Sequence, residues 1–521
     1  GSRARAAAGE LQAAAATKAA PAAASARVAA EAAALAPAPP PAWPDGLSSA
    51  FVFLFEWSWD DVAKECEEWL GPKGFKAVLV SPPNEHTTGS EWFSRYQPVS
   101  YNLTSRSGNE QQFASMVRRC RDAGVGVYVD AVFNHCAPMS GVGVAGSSYG
   151  FRAYPLYGPE DFHHFEGDER SNCGVSDYHN QHNVQYCDLE GMPDLCTGCP
   201  RVQETVAAYI HHMAELGIAG FRVDAAKHMD AGELNSLLSR VNSSLYRFLE
   251  VTAVPDEAVQ TPMYYADGPV TEFGYASTLE PKFMAQGLLR DDLEKFGEEW
   301  GLMPSDRAVV FLDNHDTQRN GQAPLTFKSG ELYTLLNVFM LAYPYGYPKV
   351  MSSYYFDSSE QGPPSVPVHG PNGEVQCGAG HPWVCEHRRA PIANMVAWRR
   401  SAGSSPLANF VAEGDAMAFC RGEAACVALN RGAHAWQVEL QLGLPVGDYC
   451  DILQSDAAGC PYVHVAAGGV TRLEVPSLGA VALHVGALRP ATQAERTGGL
   501  DEGPPELLPD APLPEPLEED Y

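Results

Sequence analysis

Positive charge is scarce in this chain: 35 Lys and Arg face 64 Asp and Glu among its 521 residues, a formal net charge of −29. A surface of that sign repels phosphate backbones and anionic lipids, so nucleic acid and membrane are not expected partners, whereas a neutral polymer is compatible. Long apolar runs are missing as well. None reaches the roughly 20 residues that cross a bilayer, which leaves a membrane-spanning reading without support. No internal repeat recurs, and Cys196-Thr197-Gly198-Cys199 has no second CxxC to complete a four-cysteine zinc site. Residues 1–44, rich in Ala and Pro, lack the side chains to bury a face and also lack the apolar core of a secretory signal. They read as a linker or the remnant of a targeting segment, and Arg3, Arg5 and Arg27 give a mildly transit-peptide-like composition. Residues 488–521, acidic and Pro-rich, read as a disordered tail.

What is present is a recurring apolar run. Eight strand-like stretches occur at 51–55, 77–80, 125–129, 220–223, 247–250, 270–273, 309–312 and 349–351, with helical segments between them. Near-continuous apolar strands are those of a parallel sheet covered on both faces, and eight of them make a (β/α)8 TIM barrel. Residues 60–70 and 111–123 are its clearest amphipathic helices. Between His135 and about Pro200 periodicity gives way to Gly, His, Asn and Cys, too long a stretch for an ordinary loop. The expected organisation is therefore a barrel from 45–134 and 201–402, an inserted subdomain at 135–200, and an antiparallel β-sandwich at 403–487, where short alternating strands and Gly/Asp turns follow Trp398.

Four of the strand ends carry ionisable residues: Asp130 to His135, Arg222 to Asp224, Glu250, and Asp313-Asn314-His315-Asp316. Each acid could simply cap the next helix. A cap needs no Arg two residues earlier, no Asn-His beside it and no Lys227-His228 a turn later. In a barrel the C-terminal strand ends meet on one face, so Asp224, Glu250 and Asp316 read as one convergent site suited to glycoside hydrolysis.

With these stretches stand Phe53-Leu54-Phe55-Glu56-Trp57, Val80-Ser81-Pro82-Pro83-Asn84-Glu85, Arg95-Tyr96-Gln97-Pro98-Val99-Ser100-Tyr101, Ser105-Arg106-Ser107-Gly108-Asn109-Glu110, Tyr343-Pro344-Tyr345-Gly346 and Val350-Met351-Ser352-Ser353. In this ordered set the chain resembles the α-amylase family of glycoside hydrolases over roughly residues 48–486, and within it the chloride-dependent animal-type branch with bacterial relatives. The resemblance implies endo-hydrolysis of α-1,4-glucosidic bonds in starch, glycogen and malto-oligosaccharides with retention, by a monomer. It makes Asp224 the nucleophile, Glu250 the general acid and then base, and Asp316 the third carboxylate that binds sugar hydroxyls. Arg222, on the same side of its strand as Asp224, is expected to keep the nucleophile ionised, while apolar Phe248, Leu249 and Val251 favour the protonated form that an acid requires of Glu250. The resemblance assigns substrate binding to Trp92, Tyr96, Gln97, His135, Arg222, Lys227, His228 and His315. Phe93 departs from the Trp common at its position, which should weaken stacking in one subsite.

The same resemblance places calcium on Asn134, Asp194 and the backbone carbonyls of Gln185 and His228, and chloride on Arg222, Asn314 and Lys349. Lys349 departs from the Arg of animal enzymes, and Asn320-Gly321-Gln322-Ala323-Pro324 replaces their glycine-rich loop. Four disulfides are implied: Cys66–Cys120, Cys173–Cys187, Cys377–Cys385 and Cys450–Cys460. Of the five remaining cysteines, Cys420 and Cys426 flank a turn and suit a cross-hairpin bridge, whereas Cys196 and Cys199 suit a local bridge or one link to Cys136. The odd count leaves at least one thiol. Cysteine content and sequons at Asn102 and Asn242 favour an extracellular location over a plastid or other lumenal one. Two other readings remain open, a transglycosylase or isomerase of the same clan and a non-catalytic amylase-like subunit of a membrane transporter.

Overall fold

In the computed structural model, which describes residues 48–285, 289–457 and 459–489, the eight apolar runs close on one another as a parallel barrel. The strands are β1 (Phe51–Leu54), β2 (Ala77–Val80), β3 (Gly126–Ala131), β4 (Gly220–Val223), β5 (Tyr246–Leu249), β6 (Val270–Glu272), β7 (Ala308–Val310) and β8 (Tyr347–Ser352). Each pairs with its sequence neighbours, and β8 closes on β1 through Phe51↔Lys349. The expected runs differ from these strands by a few residues at their ends, and Glu250 lies one residue beyond β5. The segment 1–44 and nearly all of 488–521 fall outside the described residues.

The barrel interior is packed with aromatic rings. Phe51 meets Tyr347 at 4.8 Å, Tyr128 at 5.5 Å and Phe248 at 5.6 Å between centroids, so the lower barrel is filled core with no open channel. Gly220 opens β4 because a Cβ there would lie 2.3 Å from the Tyr246 carbonyl oxygen of the adjacent strand. Outside the barrel, the helix Glu110–Asp122 starts from a reciprocal capping box between Asn109 and Gln112, as its sequence pattern dictates. The amphipathic stretch from residue 60 begins as an α-helix, Trp59–Glu65, and loosens into a π-helical turn at Cys66–Leu70, where Cys66 is bonded to Cys120.

The insertion after β3 carries little regular structure, in keeping with its lack of periodicity. It is joined to the barrel by a bridge between His135 and Asp194, with Leu195 N–H donating to Asn134 O (2.9 Å) and Cys136 N–H to Pro193 O (3.1 Å). Inside it the buried Arg152 forks onto Asp188 at 2.8 and 2.9 Å. The C-terminal region forms an antiparallel sheet of Leu407–Glu413, Ala416–Arg421, Ala425–Asn430 and Gly479–His484, with two further antiparallel pairs. Arg421 of this sheet fastens it to the barrel, beside Arg399 of the last barrel helix, Ala390–Ala402. Arg399 donates to the carbonyls of Ser49, Leu341, Tyr343 and Gly346, and Arg421 to Ala342, Gly403 and Ser405, so both bind carbonyls at or just past the end of the helix Glu331–Ala342.

Six disulfides form. The four implied pairs are present, Cys420–Cys426 crosses its hairpin, and Cys196–Cys199 is a local bridge, which rules out both a zinc half-site and a link to Cys136. Cys136 is the buried free thiol. Among the described residues no helix is long and apolar enough to cross a membrane.

Candidate active site

Side chains alternate along a strand, so Arg222 and Asp224 emerge from β4 on one side, and the register sets Arg222 opposite Asp130 of β3 and Phe248 of β5. The guanidinium is thereby surrounded by acids. Nη1 bonds Asp130 Oδ1 at 2.6 Å and Asp224 Oδ1 at 2.9 Å, and Nη2 pairs with Glu250 Oε1. The other Glu250 oxygen accepts from Ala225 N–H at 3.0 Å, a donor aimed there by the left-handed turn at Ala225 (φ 50°). Asp316 follows β7 on a short segment folded by Asn314, whose Oδ1 accepts from the N–H groups of Asp316 (3.0 Å) and Thr317 (2.7 Å). Asp316 sits at the head of the helix Thr317–Asn320 and makes no side-chain capping bond to it, so capping does not explain this acid.

These acids share too little positive charge for their burial. Desolvation, opposed by Arg222, raises the carboxyl of Asp224 well above its ordinary range and also raises Asp130; Asp316 is pushed up to about 7 by burial and then by Glu250. Arg222 is bonded to Asp224, as its place on the strand implied, and its fork is shared with Asp130 and Glu250 as well. Lys349 on β8 is buried, its ammonium lies 4.3 Å from the Phe311 ring centroid, and among the described residues that ammonium forms neither hydrogen bond nor ion pair. Burial, then the nearby Arg222, lowers it to about 8.

The acids floor a cavity of about 310 Å³. Its walls are Trp92, Phe93, Tyr96, Gln97, His135 and His315, with Leu189, Glu190 and Met192 of the insertion opposite. Tyr96 stacks on His315 at 4.9 Å and donates to Asp130 Oδ2 at 2.8 Å. Burial lowers His135 to about 4 and His315 well below its usual value, so both rings are neutral near pH 7. His135 Nε2 is engaged with Tyr96 O at 2.9 Å, whereas the buried Nδ1 of His315 has no partner. Lys227 and His228 stand outside this wall. Lys227 pairs with Glu257 (2.6 Å) and lies 4.6 Å from the centroid of the Tyr178 ring, and His228 donates from Nδ1 to Val184 O (2.9 Å).

Near His135, Asn134 Oδ1 and Asp194 Oδ1 are both buried without a hydrogen-bond partner. Burial and neighbouring Asp188 raise the Asp194 carboxyl well above its usual range. The Gln185 side chain donates to Met229 O and Tyr264 OH, which brings the insertion's helix Gln181–Tyr186 against the segment holding His228. The sequence reading gave no site role to Asp130, to Leu189, Glu190 and Met192 of the cavity wall, or to Tyr178 and Glu257, the partners of Lys227. Asp130 was visible as a strand-end acid, but its place beside Arg222 depends on strand register.

Comparison with known proteins agrees with this geometry. The profile described as "Alpha amylase, catalytic domain" matches residues 74–269, and "Alpha amylase, C-terminal all-beta domain" matches 410–486. The chain is 40% identical to an α-amylase of Tenebrio molitor over 470 residues, 84% of this chain and 98% of that one. It belongs to the α-amylase family. An α-amylase of Streptomyces violaceus is 41% identical over 447 residues, covering 85% of this chain and 75% of its own length. The crystal structure of α-amylase I from Eisenia fetida superposes with a TM-score of 0.79 at 35% identity, over 86% of this chain and 98% of that one; a variant of that enzyme is known in complex with maltohexaose. The chain is thus a glycoside hydrolase of the α-amylase type.

Behind the Asn314–Asp316 segment lies a second group of acids. Asp313, bonded by Tyr333 OH and Gln318 Nε2 at 2.7 Å each, is raised by burial to about 6; Glu386 is raised to about 7 and Glu280 to about 8, again chiefly by burial. Among the described residues no side chain bonds either carboxyl oxygen of Glu280, and only the Leu325 backbone opposes the rise. Because these folded-state values exceed those of the unfolded chain, the folded state holds extra protons, and stability is greatest below about pH 4.5 from this source and falls as pH rises through 6 to 8. Glu280→Gln should leave the melting temperature near pH 5 almost unchanged, raise it at pH 8.5, and flatten its slope between. Differential scanning calorimetry across that range checks this; an unchanged slope would refute the role of Glu280.

Proposed function

We propose that this chain is an endo-acting, retaining α-1,4-glucan hydrolase in which Asp224 attacks the anomeric carbon, Glu250 protonates the leaving oxygen and then activates water, and Asp316 holds sugar hydroxyls. The observation that carries this reading is the single guanidinium of Arg222 reaching both Asp224 and Glu250 beside a sugar-sized cavity. Two carboxyls on one guanidinium favour the ~5–5.5 Å spacing of a retaining pair over the ~6.5–9.5 Å that an inverting pair leaves for water. His315 supplies an unsatisfied neutral ring nitrogen and Trp92 and Tyr96 supply aromatic surface, the features that sugar hydroxyls and sugar faces bind. Starch, glycogen and malto-oligosaccharides are the substrates; the maltohexaose complex of the Eisenia fetida relative supports the last.

Soluble starch digested by the enzyme should give mixed short oligomers whose newly formed ends are α-anomers, read by polarimetry or NMR within the first minutes. Asp224→Asn should lower turnover by at least about 10³-fold while retaining the fold, since the amide cannot form the glycosyl ester. β-Anomers, or more than a few per cent residual activity in deamidation-checked protein, would sink these roles. Longer products built from maltoheptaose without net hydrolysis would instead identify a transglycosylase.

Calcium suits the two orphaned buried oxygens of Asn134 and Asp194, with the carbonyls of Gln185 and His228 completing a set of hard ligands. Bound there it would neutralise Asp194 and link the insertion to the barrel. Chelation is expected to lower the melting temperature before it lowers activity, because these residues do not reach the scissile bond. Metal analysis finding no calcium, with melting unaffected by chelator, would overturn the site.

Chloride suits the buried ammonium of Lys349 with Arg222 and Asn314, whose Nδ2 has only a 3.5 Å contact to Asp316. An anion there would screen two buried cations that act on the catalytic acids. Added chloride should therefore raise activity most on the alkaline limb of the pH profile, and Lys349→Gln should abolish most of that response. Identical profiles with and without chloride at constant ionic strength would refute it. The disulfides are consistent with secretion, which we take as the enzyme's location.

A further inference from the structure

The catalytic cavity is lined by four acids, Asp224, Glu250, Asp316 and Glu190, and among the described residues by no Lys or Arg; its two histidines are neutral. Three of these acids have parts in the proposed chemistry. Glu190 has none, and the fold gains nothing from it. It stands with Gly191 at the tip of a turn in the insertion, closed by Met192 N–H donating to Leu189 O at 2.9 Å, and both tip residues are left-handed (φ 51° and 79°). Two successive positive φ angles suit Asn and Gly, whereas a Glu there is strained. Its side chain is exposed, and among the described residues no cation or hydrogen-bond donor pairs with its carboxylate. The base of the turn is nevertheless fixed. Asp188 is gripped by Arg152 at 2.8 and 2.9 Å and donates its N–H to Cys173 O (2.8 Å), beside the Cys173–Cys187 disulfide. The tip itself is open, since a Cβ on Gly191 would meet nothing within 4 Å.

We infer that Glu190 is a specificity-determining residue, which turns away glucans carrying anionic substituents such as phosphate esters and favours those carrying an ammonium; the inference rests on the amylase reading. A strained and unpaired charge held in the wall of a substrate cavity is of the kind kept for function against stability. Glu190 faces the platform of Trp92, Phe93 and Tyr96 across the cavity, so a glucan passing between them brings its hydroxyl edges to the carboxylate. Neutral hydroxyls can donate to it. A phosphate in the same place meets Glu190 on one side and the acids of the floor on the other, and the guanidinium of Arg222 is already shared among three carboxylates. Lys227, over the ring of the insertion's Tyr178, gives no relief because it is paired with Glu257 at 2.6 Å. The Tyr178 hydroxyl is raised by burial, then by Glu257 and Glu190, which sets both acids on one rim. An exposed charge acts weakly and is screened by salt, so the discrimination is modest and belongs to low ionic strength.

The test uses soluble starch and two derivatives of it, substituted to the same low degree with 6-phosphate or with 6-amino-6-deoxy groups. Within each variant, kcat/KM on a derivative is divided by kcat/KM on plain starch, so an effect common to all three substrates cancels. At low ionic strength Glu190→Gln should raise the phosphate ratio at least about threefold and lower the amino ratio as much, and Glu190→Lys should carry both further. In about 1 M of a salt other than chloride, where charges are screened beyond roughly 3 Å, parent and variants should converge. Glu190→Asn should move the ratios as Glu190→Gln does while raising the melting temperature, because Asn accepts the left-handed backbone. Ratios equal to the parent's at low salt in the Gln and Lys variants would overturn the inference, as would shifts that persist at high salt, which would mark a change of shape and not of charge. Either result, with plain starch still cleaved, leaves the amylase reading standing. A parent that cleaves none of the three refutes that reading instead, and migration of the same variants through native gels holding each glucan then decides the role of Glu190.

Discussion

The catalytic end of this barrel depends on one buried guanidinium. Arg222 is held by Asp130, Asp224 and Glu250 at once, and its bonds to Asp130 and Glu250 cross to the neighbouring strands β3 and β5, so the cluster both ties the top of the barrel together and orients two of its acids. Buried ion pairs seldom add much net stability, because desolvation offsets their attraction, yet removing one partner is severely destabilising. Here the cation is outnumbered, and burial, with the neighbouring acids adding to it, raises the carboxyls of Asp224, Asp130 and Asp316. A site tuned in this way departs from what stability alone would choose.

The lower barrel and its attachments show the opposite economy. Its interior is aromatic packing, and the carbonyls around the end of the helix Glu331–Ala342 are taken up by Arg399 and Arg421. Those arginines have no carboxylate among their partners here, so they serve as rigid multi-donor caps, which a lysine could not replace. Rigidity at that end allows strained and unsatisfied groups at the other, such as Ala225 in the left-handed region and the partnerless oxygens of Asn134 and Asp194.

Much of this was legible in the sequence because the physics behind it is local. A strand covered on both faces must be apolar throughout, so all eight barrel strands stood out as runs, and the acids following them stood out as exceptions. Register is not local. Which carboxylates Arg222 would reach depends on how β3, β4 and β5 align, and the sequence suggested only Asp224, its own neighbour on the strand. The insertion was illegible for a related reason: its geometry comes from Arg152–Asp188, two disulfides and positive-φ residues such as Glu190, none of which leaves a periodic trace. Lys227 and His228 were recognised by resemblance as sugar contacts; the structure adds their partners, Glu257 and the Val184 carbonyl, which the sequence did not show.

The proximity of Lys349 to Arg222 gives the site its remaining constraint. Two buried cations repel, and Arg222 is among the causes that lower Lys349 to about 8. They coexist because Asp130, Glu250 and Asp313 lie close enough to raise Lys349 in return, although none of them bonds it. Charges linked in this manner do not titrate singly. A proton gained at Asp316 changes the field at Glu250, and a charge removed at Lys349 changes it at Arg222 and so at all three of its partners. The pH dependence of this enzyme is therefore a property of the whole cluster, and a substitution at any one member tests the set as much as the residue replaced.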